Sequence, residues 1–139
     1  MGGVYVSCGA FSGRDKSCSA ISGVVDEIIP LADPAELRLL APIIEWLEVG
    51  PDHVVIDACE AQGLLPLIVR YREIIETQIA PIRDPFEQMG KDHSDDPTLD
   101  VIDAKYGEGL GWRYYCVLDL EKAMMAAGET GDPVALVRD

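Results

Sequence analysis

The stretch Asp33-Pro34-Ala35-Glu36 constrains the fold of this chain more than any other four residues. An aspartate before a helix can accept from the first free backbone N–H groups. Proline suits the first helical position, where no N–H is needed and φ is already right. A glutamate three residues on can return a bond to the aspartate's own N–H. Only a helix start uses all three. Leu37, Leu40, Ala41, Ile44 and Leu47 then recur at helical spacing, so a helix is expected over 34–48. Gly50-Pro51 should end it, and Pro42 should kink it by removing a hydrogen bond. The same opening recurs at Asp84-Pro85-Phe86-Glu87, and in shorter form at Asp96-Pro97, so helices are expected to end near Gly90 and Tyr106.

Around these starts the pattern alternates. "GVYVSC" (3–8) is β-branched and aromatic and predicts a strand, and "VVDEII" (24–29) predicts a second. The Gly/Ser-rich stretch 9–23 between them reads as a loop. "HVVIDA" (53–58) fits either a buried strand or a helix start capped by Asp52, and so short a run does not decide. "LPLIVRYREIIETQI" (65–79) is a helix with Leu67, Tyr71, Ile74, Ile75 and Ile79 on its apolar face. Arg70–Glu73 and Arg72–Glu76 are placed to pair on the other. The close reads as an extended segment over 113–117 and a helix over 119–127, capped by Asp119, with Leu120, Ala123, Met124 and Ala127 on one face. A turn from Gly128 to Pro133 and a strand over 134–137 follow. The expected fold is a single α+β domain over 1–139, a small sheet packed against three or four helices.

Charge narrows the partners. The 25 acidic residues outnumber the 11 basic ones, for a formal net charge of −14. Such a chain repels nucleic acid and anionic membrane, and the charge favours a cationic partner or simply high solubility. No apolar run is long enough to span a membrane, and the first twenty residues lack a basic region before an apolar stretch. The cysteines at 8, 18, 59 and 116 form no C-x-x-C and read as ordinary buried thiols in a reducing cytoplasm.

Four constellations carry possible chemistry. Gly107, Gly109 and Gly111 follow an expected helix and lead into Trp112, Tyr114 and Tyr115. A phosphate cradle needs a strand before it and a helix after it, so this run reads as a hinge that presents an aromatic anchor. "DHSDDPTLDVID" (92–103) places Asp92, Ser94, Asp96, Thr98, Asp100 and Asp103 at calcium-loop positions. Pro97 stands where that loop needs glycine, so no tight metal site is expected. His53, Asp57 and Cys59 share a face only if they lie on one strand. No Ser-centred elbow or H-E-x-x-H is present, and an enzyme is not expected. Finally, Asp92, Asp95, Asp96, Asp100, Asp103, Tyr106 and Glu108, with Trp112 and Tyr114, set carboxylates beside aromatics. That pairing suits a protein-binding face, where aromatics fill pockets on a partner and the charge speeds encounter with a basic one; the alternative is that Trp112, Tyr114 and Tyr115 are core residues and the acids only keep the chain soluble.

The segment "WRYYCVLDLEKAM" (112–124) followed by "GDPVALV" (131–137) resembles the C-terminal part of small acidic bacterial immunity proteins of toxin–immunity systems. The resemblance covers under a quarter of the chain and transfers no individual residue. It implies neutralisation of a cognate toxin by direct binding; the charge points to a basic one, and no cofactor is expected. Two other readings stay open at this point: a calcium- or metal-binding module built on 92–103, and a small enzyme using His53, Asp57 and Cys59.

Overall fold

Two strands distant in sequence pair at the centre of the sheet. β1 (Val4–Cys8) runs antiparallel to β4 (Val134–Arg138), with Val4 opposite Arg138 and Cys8 opposite Val134. The short β2 (Phe11–Ser12) flanks β1, and β3 (His53–Ile56) flanks β4, giving the order β2-β1-β4-β3 with every pair antiparallel. The computed structural model describes residues 4–13, 18–50, 52–79 and 110–138. Four helices pack with the sheet: α1 (Cys18–Ile28), α2 (Pro34–Val49), α3 (Ala58–Ile79) and α4 (Leu110–Thr130). This is the expected α+β domain.

Period-2 alternation sets the sheet's inner face. Val4, Val6 and Cys8 of β1, Val134 and Leu136 of β4, and Ile56 of β3 are buried against the helices. The residues between them are half-buried or, at His53 and Val55, exposed. The helices contribute Ile21, Leu40, Trp46, Leu64, Leu67, Ile68 and Ile75 to the same core.

Asp33 caps α2 as expected. Its Oδ1 accepts from Glu36 N at 2.8 Å, and Asp33 N donates back to Glu36 Oε1 at 3.0 Å. Gly50, at φ 82°, ends the helix in a left-handed conformation and turns the chain toward β3. The buried stripe of α2 is Glu36, Leu40, Ile43 and Trp46, whereas Leu37 and Ala41 face water. Pro42 of α2 and Pro66 of α3 are both exposed. The carbonyls they leave without an intrahelical donor, at Arg38 and Gln62, belong to exposed residues with access to water.

Several expectations are corrected. Residues 24–29 are not a strand: α1 takes 24–28 and a 3-10 turn, Ile29–Leu31, takes the rest. Ile21, Val24, Val25 and Ile28 are all buried and recur at helical spacing, which outweighs the strand preference of Val and Ile. The loop over 9–23 is interrupted by β2 and by the start of α1. The run 53–58 divides, with a strand as far as Ile56 and then a helix. That helix begins at Ala58 rather than near 65, because Asp57 and Glu60 form a second reciprocal box, at 2.8 and 3.1 Å. On α3, Ile74 is exposed rather than part of the apolar face. Arg72 pairs with Glu76 as expected, but Arg70 reaches across to Glu36 of α2 at 2.6 Å instead of pairing with Glu73.

The extended segment over 113–117 is helix. α4 runs unbroken from Leu110, since Cys116, Val117, Leu120, Ala123, Met124 and Ala127 make one buried stripe. Asp119 is therefore a buried position inside α4 and not its cap. The helix continues past Gly128 to Thr130, and Gly131, at φ 79°, stops it. The expected caps at Asp84 and Asp96 fall outside the described residues.

Candidate functional site

Helix α2 presents Pro42, Glu45, Trp46 and Val49 at spacings of three and four, so the four share a face. That face meets His53 and Val54 of β3 across a groove of about 230 Å³. Trp46 forms a buried wall, while Val49 at the lip is 73 % exposed, the most exposed large hydrophobic among the described residues. Val55, on the neighbouring strand, is 52 % exposed.

Arg138 holds the wall in place. Its guanidinium lies 4.8 Å from the centroid of the Trp46 ring and donates to Trp46 O at 3.1 Å, at the C-terminal end of α2 where a cation is favoured. Its backbone N donates to Asp52 O at 2.7 Å, extending the β3–β4 ladder by one rung. One residue thus joins α2, β3 and β4.

The rim of the groove is acidic. Glu45 lines it, Glu48 follows on the same helix, and Asp52 and Asp57 stand at the two ends of β3. All four are exposed, and none has an ion-pair partner among the described residues. Asp57 spends its Oδ1 on the α3 cap. Among the described residues no ion pair neutralises these carboxylates, and the nearby Arg138 guanidinium is engaged by Trp46.

A second polar cluster joins α1, α3 and α4. Tyr71 donates to Glu27 Oε1 at 2.7 Å, and Arg113 pairs with Glu27 Oε2 at 3.0 Å. Arg72 pairs with Glu121 at 2.8 Å as well as with Glu76, and Tyr114 donates to Glu76 Oε2 at 3.2 Å. Burial and the bond to Glu27 push the Tyr71 hydroxyl well above the usual tyrosine range, so it stays protonated at neutral pH. This cluster is paired largely from within, although Arg113 Nε makes no well-aligned hydrogen bond, and it ties α1, α3 and α4 together.

Of the expected partner-binding residues, Tyr114 is half-buried against the core and tied to Glu76. Trp112 lies on α4, so the reading of Gly111 as a hinge into an extended aromatic segment is replaced by a continuous helix. Asp92, Asp95, Asp96, Asp100, Asp103, Tyr106 and Glu108 lie outside the described residues, as do Gly107 and Gly109.

His53, Asp57 and Cys59 are not brought onto one face. The strand that would have aligned them stops at Ile56. Asp57 is engaged as a cap, and Cys59 is exposed in the first turn of α3. Cys59 is therefore not the buried thiol expected, whereas Cys8 and Cys116 are. Burial, with Asp132 nearby, raises the Cys8 thiol, which donates to Asp132 O at 3.4 Å. Among the described residues no three His, Cys, Asp or Glu side chains stand together as metal ligands, and no helix is long and apolar enough to cross a membrane.

The groove was missed in the sequence because its two walls come from different elements. The spacing of Pro42, Glu45, Trp46 and Val49 was the available signal. Comparison with known protein families, with curated proteins and with solved structures finds no match.

Proposed function

We propose that this protein is a binding module that neutralises a cognate basic protein by direct contact, in the manner of an immunity protein acting on its toxin. The observation that carries the reading is the pairing of a large negative charge with exposed apolar side chains. The chain holds 25 acids against 11 bases, and Glu45, Glu48, Asp52 and Asp57, exposed and without an ion pair among the described residues, lie on the same two elements as exposed Val49 and Val55 or at their ends. Carboxylates at a rim steer a cationic partner, and the apolar centre holds it once docked. The sequence from 84 to 108 adds eight acids against two bases to the chain's negative charge.

The test begins with capture of partners from the native organism, using the full chain as bait. A basic protein recovered this way is then expressed alone and together with this chain. The expected result is growth arrest by the partner alone, relieved by co-expression, with one-to-one binding that weakens as salt rises. Asp100→Lys with Asp103→Lys should slow association, and Trp112→Ala should speed dissociation. A partner whose binding ignores salt and both variants would sink the reading.

A further inference from the structure

We propose that the free edge of β3, with the groove beside it, takes an extended basic segment of a partner protein as a fifth strand of the sheet. The proposal rests on the binding function above and assigns its docking surface. The hydrogen-bond phase of the ladder leads to it. Arg138 N bonds to Asp52 O, and the register places Val54 opposite Leu136 and Ile56 opposite Val134. In an antiparallel pair the bonded positions alternate, so Asp52, Val54 and Ile56 point their backbone groups at β4. His53 and Val55 then turn their N–H and C=O groups away from it. Among the described residues no other strand pairs with β3 on that side.

A strand added there alternates its side chains between two faces. One set enters the groove, whose apolar walls are Pro42, Trp46, Val49 and Val54. Its volume of about 230 Å³ falls short of the common range for small-molecule sites, roughly 300–1,000 Å³, and suits one or two side chains. The other set stands beside exposed His53 and Val55, with Asp57 at the end of the strand. Glu45 and Glu48 of α2, and Asp52 on the face of Val54, lie on the groove side. Those exposed carboxylates, without an ion pair among the described residues, select lysine or arginine. They also oppose a second copy of this chain, which would bring the same carboxylates and another net −14 to the edge. Main-chain bonds supply affinity and the alternate side chains supply specificity, the division of labour in strand addition.

The probe is a synthetic decapeptide alternating valine and lysine, titrated into the isotope-labelled full chain and followed by backbone amide resonances. A second peptide carries N-methyl groups at alternate positions, keeping its charge but losing its strand-forming edge. The expected result is saturable shifts centred on the His53 and Val55 amides and their slowed exchange, with at least tenfold weaker binding of the methylated peptide. Val55→Pro, which removes an outward N–H and takes no bond from the β3–β4 ladder, should weaken the first peptide at least fivefold while the β1 and β4 amides keep their positions. Val49→Glu is the second variant. It adds negative charge while spoiling the apolar lip, so groove docking predicts weaker binding and plain charge attraction predicts tighter. Equal binding of the two peptides, or tighter binding to Val49→Glu, overturns the proposal. A dimer in sedimentation that Val55→Pro dissolves would make the occupant a second copy and also overturn it. If a captured partner binds Val55→Pro as tightly as wild type, the docking edge is wrong while the binding function stands. If the peptide docks as expected but no basic partner is captured, the edge stands and the neutralising function fails.

Discussion

Single side chains here hold more than one element at once, and their substitution should show it. Asp33 closes a reciprocal cap with Glu36, and Glu36 in turn holds Arg70 of α3 at 2.6 Å while itself nearly buried. Asp33→Ala should cost about 1 kcal/mol in urea unfolding, as lost helix caps do. Glu36→Ala should cost more, about 2 kcal/mol, because the return bond and the charged bond to Arg70 go together. Asp57→Ala should match Asp33→Ala at about 1 kcal/mol, since it caps α3 in the same way. Tyr71 makes a pH prediction. Its proton is held more tightly in the folded chain than at the ordinary value of 10.0. Above pH 10 the unfolded chain therefore releases a proton that the folded chain keeps. The stability involved is whole below pH 10 and is lost as the pH rises beyond it. Alkaline denaturation should set in at higher pH in Tyr71→Phe, measured against each protein's own stability at pH 8.

At the scale of elements, what was legible in the sequence follows from where its information lies. The cap at Asp33 and the stripe of Leu120, Ala123, Met124 and Ala127 are local patterns, and both stand in the fold. α1 was misread because Val and Ile favour strands, and only packing of Ile21, Val24, Val25 and Ile28 on one core chose the helix. The start of α4 was misread because aromatic and β-branched residues at 112–117 resemble a strand, whereas Cys116 and Val117 are buried as part of a helical stripe. The groove joins α2 to β3 and depends on pairing with β4, so no local pattern could reveal it. The fit of α4 to the sheet side yields a further prediction. A Cβ at Gly13 would come within 2.5 Å of Asp119 Oδ2 and 3.1 Å of Val6 O. Neither can retreat easily, one being buried in a helix and the other part of the backbone. Gly13→Ala should destabilise by about 1–3 kcal/mol, the usual range for overpacking, as read by thermal unfolding.

Across the whole molecule, a net charge of −14 on 139 residues sets the folded state against itself. Screening relieves that repulsion, so the melting temperature should rise as sodium chloride goes from about 0.01 M to 0.15 M, where the screening length shrinks from about 30 to 8 Å. The same addition should weaken partner binding, giving salt opposite effects on stability and affinity. The central pairing of β1 with β4 has a consequence of another kind, for the order of events during synthesis. β1 leaves the ribosome first and β4 follows only after all four described helices. Until Arg138 has emerged, Val4, Val6 and Cys8 belong to a strand without its main neighbour, and the helices have no finished sheet to settle on. The nascent chain is thus held back from its final fold until Arg138 has left the ribosome, and it depends on its charge, or on a chaperone, to stay dispersed. Ribosome-bound chains stalled short of Val134 should be digested readily by protease, and chains joined to a C-terminal linker that carries Arg138 clear of the ribosome should resist.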